Sequence, residues 1–283
     1  AAAIDASLVD ASDVFLDLRM VKTDWEIEMI RRAADLAGAG TRAILDGVRA
    51  GRPELAVVAD VQRAFYDTYL DEHPGYDIGT ANELGQYGFA SVLSGDHALE
   101  PHSISSAREI AGGESVVGIA LPSLQGYVCE EERTLLVGDV PAAIERRMET
   151  LVSVRNEAMD RVGPGEAVVD EIDAWVAGKL DDAGFGGDVM HRTGHGEGVT
   201  IHEGPALNAR QPGELRPGMV ISIEPGLYVR DHGTALRHSD TLVVTEDGAE
   251  RLTHTPARVH AGSTRGLAPT GGLREPEALG SST

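Results

Sequence analysis

The segment "AVVADV" at Ala56 returns as "AVVDEI" at Ala167, 111 residues on, and "ERTLLVG" at Glu132 returns as "SDTLVVT" at Ser239, 107 residues on. Between these pairs, "GESVVGIALP" in the first half is matched by "PGMVISIEPG" in the second. A repeat in constant order limits the fold, because each copy must bury its apolar face against the other. The order within each copy is helix, helix, strands. The expectation is an α+β chain of two related halves packed about a pseudo-twofold axis, with the natural site in the cleft between them.

Local signals fill in that frame. "KTDWEIEMIRRAADLAGAGTRAILDGV" reads as a long amphipathic helix with Thr23 or Asp24 as its cap and acids in its first turn. "PELAVVADVQRAFYDTYL" is a second helix, Pro53 standing where a first turn tolerates it. Short strands follow to residue 138, then helices over "VPAAIERRMETLVSVRNEAMDRV" and "GEAVVDEIDAWVAGKLDDAGF", and strands and turns from 188 to about 253. The stretch from His260, rich in Gly, Pro, Ser and Thr, predicts a disordered tail.

Charge excludes some partners. The 46 acidic residues against 24 basic ones leave about −22, which repels DNA phosphate and an anionic membrane surface. Lys22 and Lys179 are the lysines, arginine supplying the other cations. An acidic, lysine-poor chain suits solubility at very high salt, so a halophilic source is expected. The lone Cys129 cannot form an intrachain disulfide, which fits a reducing cytoplasm; acidic neighbours mark it as a packed residue rather than a reactive thiol. No apolar run approaches the length of a membrane span.

Two stretches carry candidate chemistry. In "GIALPSLQGYVCEEERTLLVG", strand alternation puts Glu130 and Glu132 on one face and Glu131 on the other, outward one. "HRTGHGEGVTIHEGP" gathers His191, His195 and His202 among glycines. In "VISIEPG", Glu224 ends an apolar strand and is held by Pro225-Gly226, so it points into a cleft and needs a cation, a metal or a shifted pKa.

The ordered run "GHGEGVTIHEGP", "LRPGMVISIEPGLYV" and "DTLVVTEDGAERLTH" resembles the pita-bread hydrolases: methionine aminopeptidase, aminopeptidase P, prolidase and creatinase. The resemblance implies a catalytic domain over residues 22–256, residues 1–21 as the linker from an amino-terminal domain, and residues 257–283 as the tail. It also implies a homodimer. The family's peptidases hold two divalent metals (Mn, Co or Zn) through two aspartates, a histidine and two glutamates, at the ~3.5–4 Å separation of two-metal sites. Carried over, those positions are Gly118, Glu130, His195, Glu224 and Ser239, of which Gly118 and Ser239 offer no carboxylate. The expectation is therefore that no dinuclear site forms.

"LPSLQGYVCEEERTL" resembles the creatinase segment instead, and creatinase cleaves a C–N bond without metal. That likeness implies His102, in "SGDHALEPHS", as general acid and base, with Glu132 and Glu224 holding a cationic amidine or guanidine. His195 and His202 join the catalytic set, and Glu130, His191 and His238 line the substrate. Arg133 is expected to pair with a neighbouring acid, and Tyr127 and Tyr228 to pack. The favoured reading is a metal-independent hydrolase of a small amino-acid-like substrate. The alternatives are a metal-dependent Xaa-Pro aminopeptidase or dipeptidase with an altered site, and an inactive pita-bread binding module.

Overall fold

The structure is a computed structural model that describes residues 9–78, 88–164, 169–210, 213–257 and 260–261. The expected tail lies outside these residues but for 257, 260 and 261. Helix α1 (Ser12–Met20) falls in the stretch read from sequence as a linker. Its residues are all exposed or half-buried, and it is held to the rest of the chain through Asp17–Arg216 and Arg19–Glu203 ion pairs.

The first half runs α2 (Asp24–Gly47), α3 (Glu54–Glu72), β1 (Gly88–Ser94), β2 (Ser115–Leu124), β3 (Tyr127–Val128) and β4 (Glu131–Leu136). Thr23 caps α2 in a reciprocal capping box with Glu26, as its position before an acidic first turn predicts. Pro53 precedes α3 as its N-cap rather than entering the first turn. The second half repeats the order with α4 (Ala142–Met159), α5 (Val169–Asp182), β5 (Gly194–Gly196), β6 (Glu203–Leu207), β7 (Val220–Ile223), β8 (Gly226–Val229), β9 (Thr234–Arg237), β10 (Asp240–Thr245) and β11 (Gly248–Arg251).

The strands the repeat equates occupy equivalent places: β2 pairs antiparallel with β4, and β7 with β10. One antiparallel sheet contains β1, β2, β3 and β4; the other has the order β11-β10-β7-β5-β6, with β8 and β9 as a separate hairpin. The two sheets meet where Glu132 N donates to Ser239 O and Ser239 N donates to Glu132 O, both at 3.2 Å. Those are the two residues that open the repeated segment. Thr134 tightens the seam, its Oγ1 donating to Arg237 O at 2.7 Å and accepting from Arg237 N at 2.8 Å.

Behind the seam lies a fully buried charge cluster. Arg133 Nη2 reaches Glu131 Oε1 and Asp240 Oδ1, each at 2.9 Å, and Arg155 Nη1 lies 2.6 Å from Asp240 Oδ2. Glu131 therefore faces away from the cleft as alternation requires, yet it is buried in the core rather than directed to solvent. Arg133 pairs with a neighbouring acid as expected. Burial opposes the Asp240 charge, but Arg133, Arg155 and Arg251 together hold its carboxyl well below the usual range.

Removing one partner of such a cluster strands the others in the core. Asp240→Asn is expected to cost about 3–5 kcal/mol, read from the shift in denaturant midpoint. Because the Asp240 pKa is depressed, its stabilisation is complete at neutral pH and declines as pH falls below the usual carboxylate range. The variant should lose that part of the acid sensitivity.

Candidate active site

The cleft, of about 1140 Å³, lies between the halves and takes residues from both. The first half supplies Phe89, Ile119, Leu121, Glu130, Glu132 and the loop Glu100–Ile104 that carries His102. From the second come His191, Arg192, Ile201, His202, Asn208, Glu224 and Arg237.

At its floor Glu130, His195 and Glu224 converge, one ligand atom of each lying within 4.8 Å of the others. Glu130 precedes β4, His195 lies on β5 in a run where Gly194 and Gly196 press against backbone carbonyls, and Glu224 follows β7. A Cβ at either glycine would come within 2.0 Å of a carbonyl oxygen, so only glycine lets these strands close on the histidine.

His195 Nδ1 donates to Gly196 O at 3.2 Å, so Nδ1 carries a proton and Nε2 faces the two carboxylates. Nε2 is 3.3 Å from Glu224 Oε1 but lacks hydrogen-bond alignment, and Glu130 Oε1 is likewise buried without a hydrogen-bond partner. Unsatisfied buried polar atoms are costly, and two in one three-residue cluster fit a cation there. Burial alone would push His195 down, but Glu224, then Glu130 and Glu197, carry it up to about 10 in the metal-free chain. Burial would raise Glu224, yet His195 outweighs it and brings the carboxyl to about 2.

The histidine rings form a file from this floor towards the rim. His195 and His202 centroids are 4.5 Å apart, and His202 and His102 are 5.8 Å apart. Burial, then the neighbouring His195, lowers His202 to about 4. From behind, Glu203 holds the His202 loop: it accepts from Lys22 Nζ at 2.6 Å and from Arg19 Nη2 at 2.5 Å. His191 lies at the side, its Nε2 2.9 Å from the Tyr228 hydroxyl.

Three positions differ from the sequence reading. A side chain at Gly118 would run into Ile44 of α2, with Cβ 2.4 Å from Ile44 Cγ2, so Gly118 faces the core. Ile119, paired across the strands with Glu132, is the β2 residue on the cleft side, and it too offers no ligand. Glu132 does face the cleft, but its oxygens are taken by Arg237, through Nε at 2.6 Å and Nη2 at 2.7 Å. Burial, Glu130 and Glu224 oppose ionisation of Glu132, and Arg237 counters them. His238 is not in the cleft. It is buried on the other face near Arg133 and Arg155, its Nε2 3.4 Å from Thr134 N. Ser239 neighbours the Glu130 carboxylate and contributes no charge.

Alternation contained the Arg237 signal, because a strand that turns Ser239 to the cleft turns Arg237 there and His238 away. The buried Glu197, which accepts from Thr241 Oγ1 at 3.0 Å behind Glu130, had none: it reads as an ordinary loop acid.

Residues 28–246 match the model of metallopeptidase family M24. The chain is 32% identical over 244 residues to the Xaa-Pro dipeptidase of Pyrococcus furiosus, covering 86% of this chain and 66% of that protein. It is 32% identical to the probable dipeptidase PepE of Mycobacterium bovis, covering 87% of this chain and 62% of the other. The crystal structure of the Xaa-Pro dipeptidase from Bacillus anthracis superposes with a TM-score of 0.81 at 28% identity, over 92% of this chain and 69% of that one. The chain thus spans about two-thirds of these relatives' length. These relatives lie on the peptidase side, and nothing in them supports the metal-independent, creatinase-like branch that "LPSLQGYVCEEERTL" implied. Among the described residues no helix is long and apolar enough to cross a membrane. With its two α+β halves, its pita-bread fold and this matched span, the chain belongs to metallopeptidase family M24.

Proposed function

We propose that the chain is a metal-dependent peptidase of the Xaa-Pro dipeptidase type, working with one divalent cation (Mn, Co or Zn) held by Glu130, His195 and Glu224. The observation that carries this reading is the three-residue cluster itself, in which the buried His195 Nε2 and Glu130 Oε1 lack an aligned hydrogen bond. The names of the relatives supply the substrate class, a dipeptide with proline at its second position. The two positions without a ligand, Ile119 and Ser239, argue for one ion rather than two.

Such a cation, when bound, supplies Lewis acidity and lowers the pKa of a bound water. The chain's own groups do the rest. Glu224 and Glu130 provide the negative charge that retains the ion, and His195 presents Nε2 because Gly196 O engages Nδ1. His202, held neutral by burial and by His195, offers a hydrogen-bonding ring beside the reacting centre, and His102, next in the file towards the rim, is the group assigned to take the proton. Arg237, fixed by Glu132 and by the Tyr228 hydroxyl at 3.2 Å, sets a permanent positive charge at the cleft wall. In this reading Glu132 orients Arg237 instead of holding a cationic substrate. Phe89, Leu121 and Ile201 give the apolar wall on which a proline ring packs.

After dialysis and reloading, elemental analysis should find one Mn, Co or Zn per chain, and none in the Glu224→Gln or His195→Ala variants. Two tightly bound ions would overturn the one-site assignment. Activity unchanged by exhaustive chelation would overturn the metal dependence. Among substrates, Xaa-Pro dipeptides should be hydrolysed and creatine or other guanidino compounds should not; the reverse order sinks the reading.

His102→Ala should lower kcat by about 10²–10⁴-fold, the range of a lost proton-transfer group, while the metal content stays at one. Unchanged kcat would remove His102 from the mechanism.

A further inference from the structure

His102 and His202 sit on two separate excursions of the chain, one from each half, and each excursion is closed at its base by a single helix carboxylate. In the first half this is Glu54, the first residue of α3 and fully buried. Its Oε1 accepts from Ser94 N and Ser94 Oγ, both at 2.8 Å, where the loop leaves β1. Its Oε2 accepts from Ser106 N at 2.9 Å and Ser106 Oγ at 3.0 Å, where the loop returns. Between those points lie Glu100, Pro101, His102, Ser103 and Ile104, which form one rim of the cleft.

In the second half the same device is built on α5. Asp173 Oδ1 accepts from Thr193 N at 2.8 Å and Thr193 Oγ1 at 2.7 Å, and its Oδ2 accepts from Ala209 N at 2.7 Å. Between Thr193 and Ala209 lie His195 and His202. The helices α3 and α5 occupy equivalent places in the two halves, but the clamps are not repeat equivalents: Glu54 opens α3, whereas Asp173 stands one turn into α5.

We infer that Glu54 and Asp173 are positioning residues that fix the two histidine-bearing loops at both ends and so hold His102 and His202 in register across the cleft. A carboxylate suits this task and an amide does not. An ionised carboxylate is acceptor-only at both oxygens, whereas Gln or Asn has one accepting oxygen and turns an NH₂ towards the other set of donors. Glu54→Gln or Asp173→Asn keeps the size of the side chain and releases one end of one loop. Among the described residues no arginine or lysine lies at ion-pair distance from Glu54; its oxygens are held by these four donors and by His97 Nδ1 at 3.2 Å, with Arg108 near enough to interact electrostatically. The catalytic half of the inference rests on the peptidase reading above; the clamp half does not.

The test uses the full chain and two readouts. By hydrogen exchange, amides over 95–106 should exchange about tenfold faster in Glu54→Gln, and those over 194–208 about tenfold faster in Asp173→Asn, each loop responding to its own clamp. In turnover of an Xaa-Pro dipeptide, each variant should lose about 10²-fold in kcat, the cost of an ångström-scale misplacement, with KM nearly unchanged. In a His102→Ala background, Glu54→Gln should have little further effect on kcat, because it acts through that histidine. Glu54→Ala and Asp173→Ala, which free both ends, should exceed the conservative variants in exchange.

Unchanged loop exchange overturns the clamps, whatever the activity. Faster exchange with kcat intact overturns the positioning role, as does an equal loss of kcat with and without His102. If the wild-type chain hydrolyses no such dipeptide, the peptidase reading fails and the exchange data alone decide the clamps.

Discussion

The two-residue bridge between Glu132 and Ser239 joins one sheet to the other, and the rest of the molecule is arranged around it. In front of the bridge the strands present Glu130, Glu132, Arg237 and Ser239 to the cleft; behind it they present Glu131, Arg133, His238 and Asp240 to the core. The seam thus sorts one short stretch of each half into a chemical face and a structural face. Charge is buried on both. Desolvating so many ions is unfavourable, and it is tolerable only because each face carries opposing charges at ion-pair distance. The Arg133–Asp240 pair sits on the structural face and ties the halves together, while Glu132–Arg237 does the same at the cleft wall.

The chemical face has a different balance. Glu130, Glu224 and His195 do not satisfy one another: the single close contact, His195 Nε2 to Glu224, is poorly aligned, and an oxygen of Glu130 is left over. Elsewhere in the seam the buried guanidinium of Arg237 finds acceptors for Nε and both terminal nitrogens. This under-satisfied cluster is the ground on which a cation is proposed there; on the structural face, Arg155 Nε and His238 Nδ1 also lack a hydrogen-bond partner. Ile119 and Ser239 bring no carboxylate to the cleft beside it.

Much of this was readable in advance because it depends on short-range periodicity. The repeat announced two halves, and the capped amphipathic patterns placed α2, α3, α4 and α5 within a few residues. Glu130, His195 and Glu224 were picked out by spacing and by family likeness, and they do meet. What failed was a matter of facing. One residue of register separates Gly118 from Ile119, and one residue separates His238 from Arg237. In a strand a one-residue step reverses the side-chain direction, so an error invisible in an alignment of motifs moves a residue from the cleft to the core. Alternation puts Glu132 on the cleft face but is silent on its partner, since nothing local shows that an arginine 105 residues away occupies it.

The clamps by Glu54 and Asp173 belong to the same class of fact. Each is an unremarkable acid near the start of a helix, where the helix dipole alone would justify it. Sequence by itself determined the order of helices α2 to α5, the twofold repeat, the acidic character and the identity of the histidines and carboxylates that gather in the cleft, because each of these is written in composition, in motif spacing or in a period of 2 or 3.6 residues. Tertiary structure alone decided which acids are already paired, which loops are fastened at both ends, and which polar atoms remain without a partner. Those depend on contacts between residues dozens to more than a hundred positions apart, and hydrogen-bond partnership at that separation is set by packing geometry that no local pattern encodes.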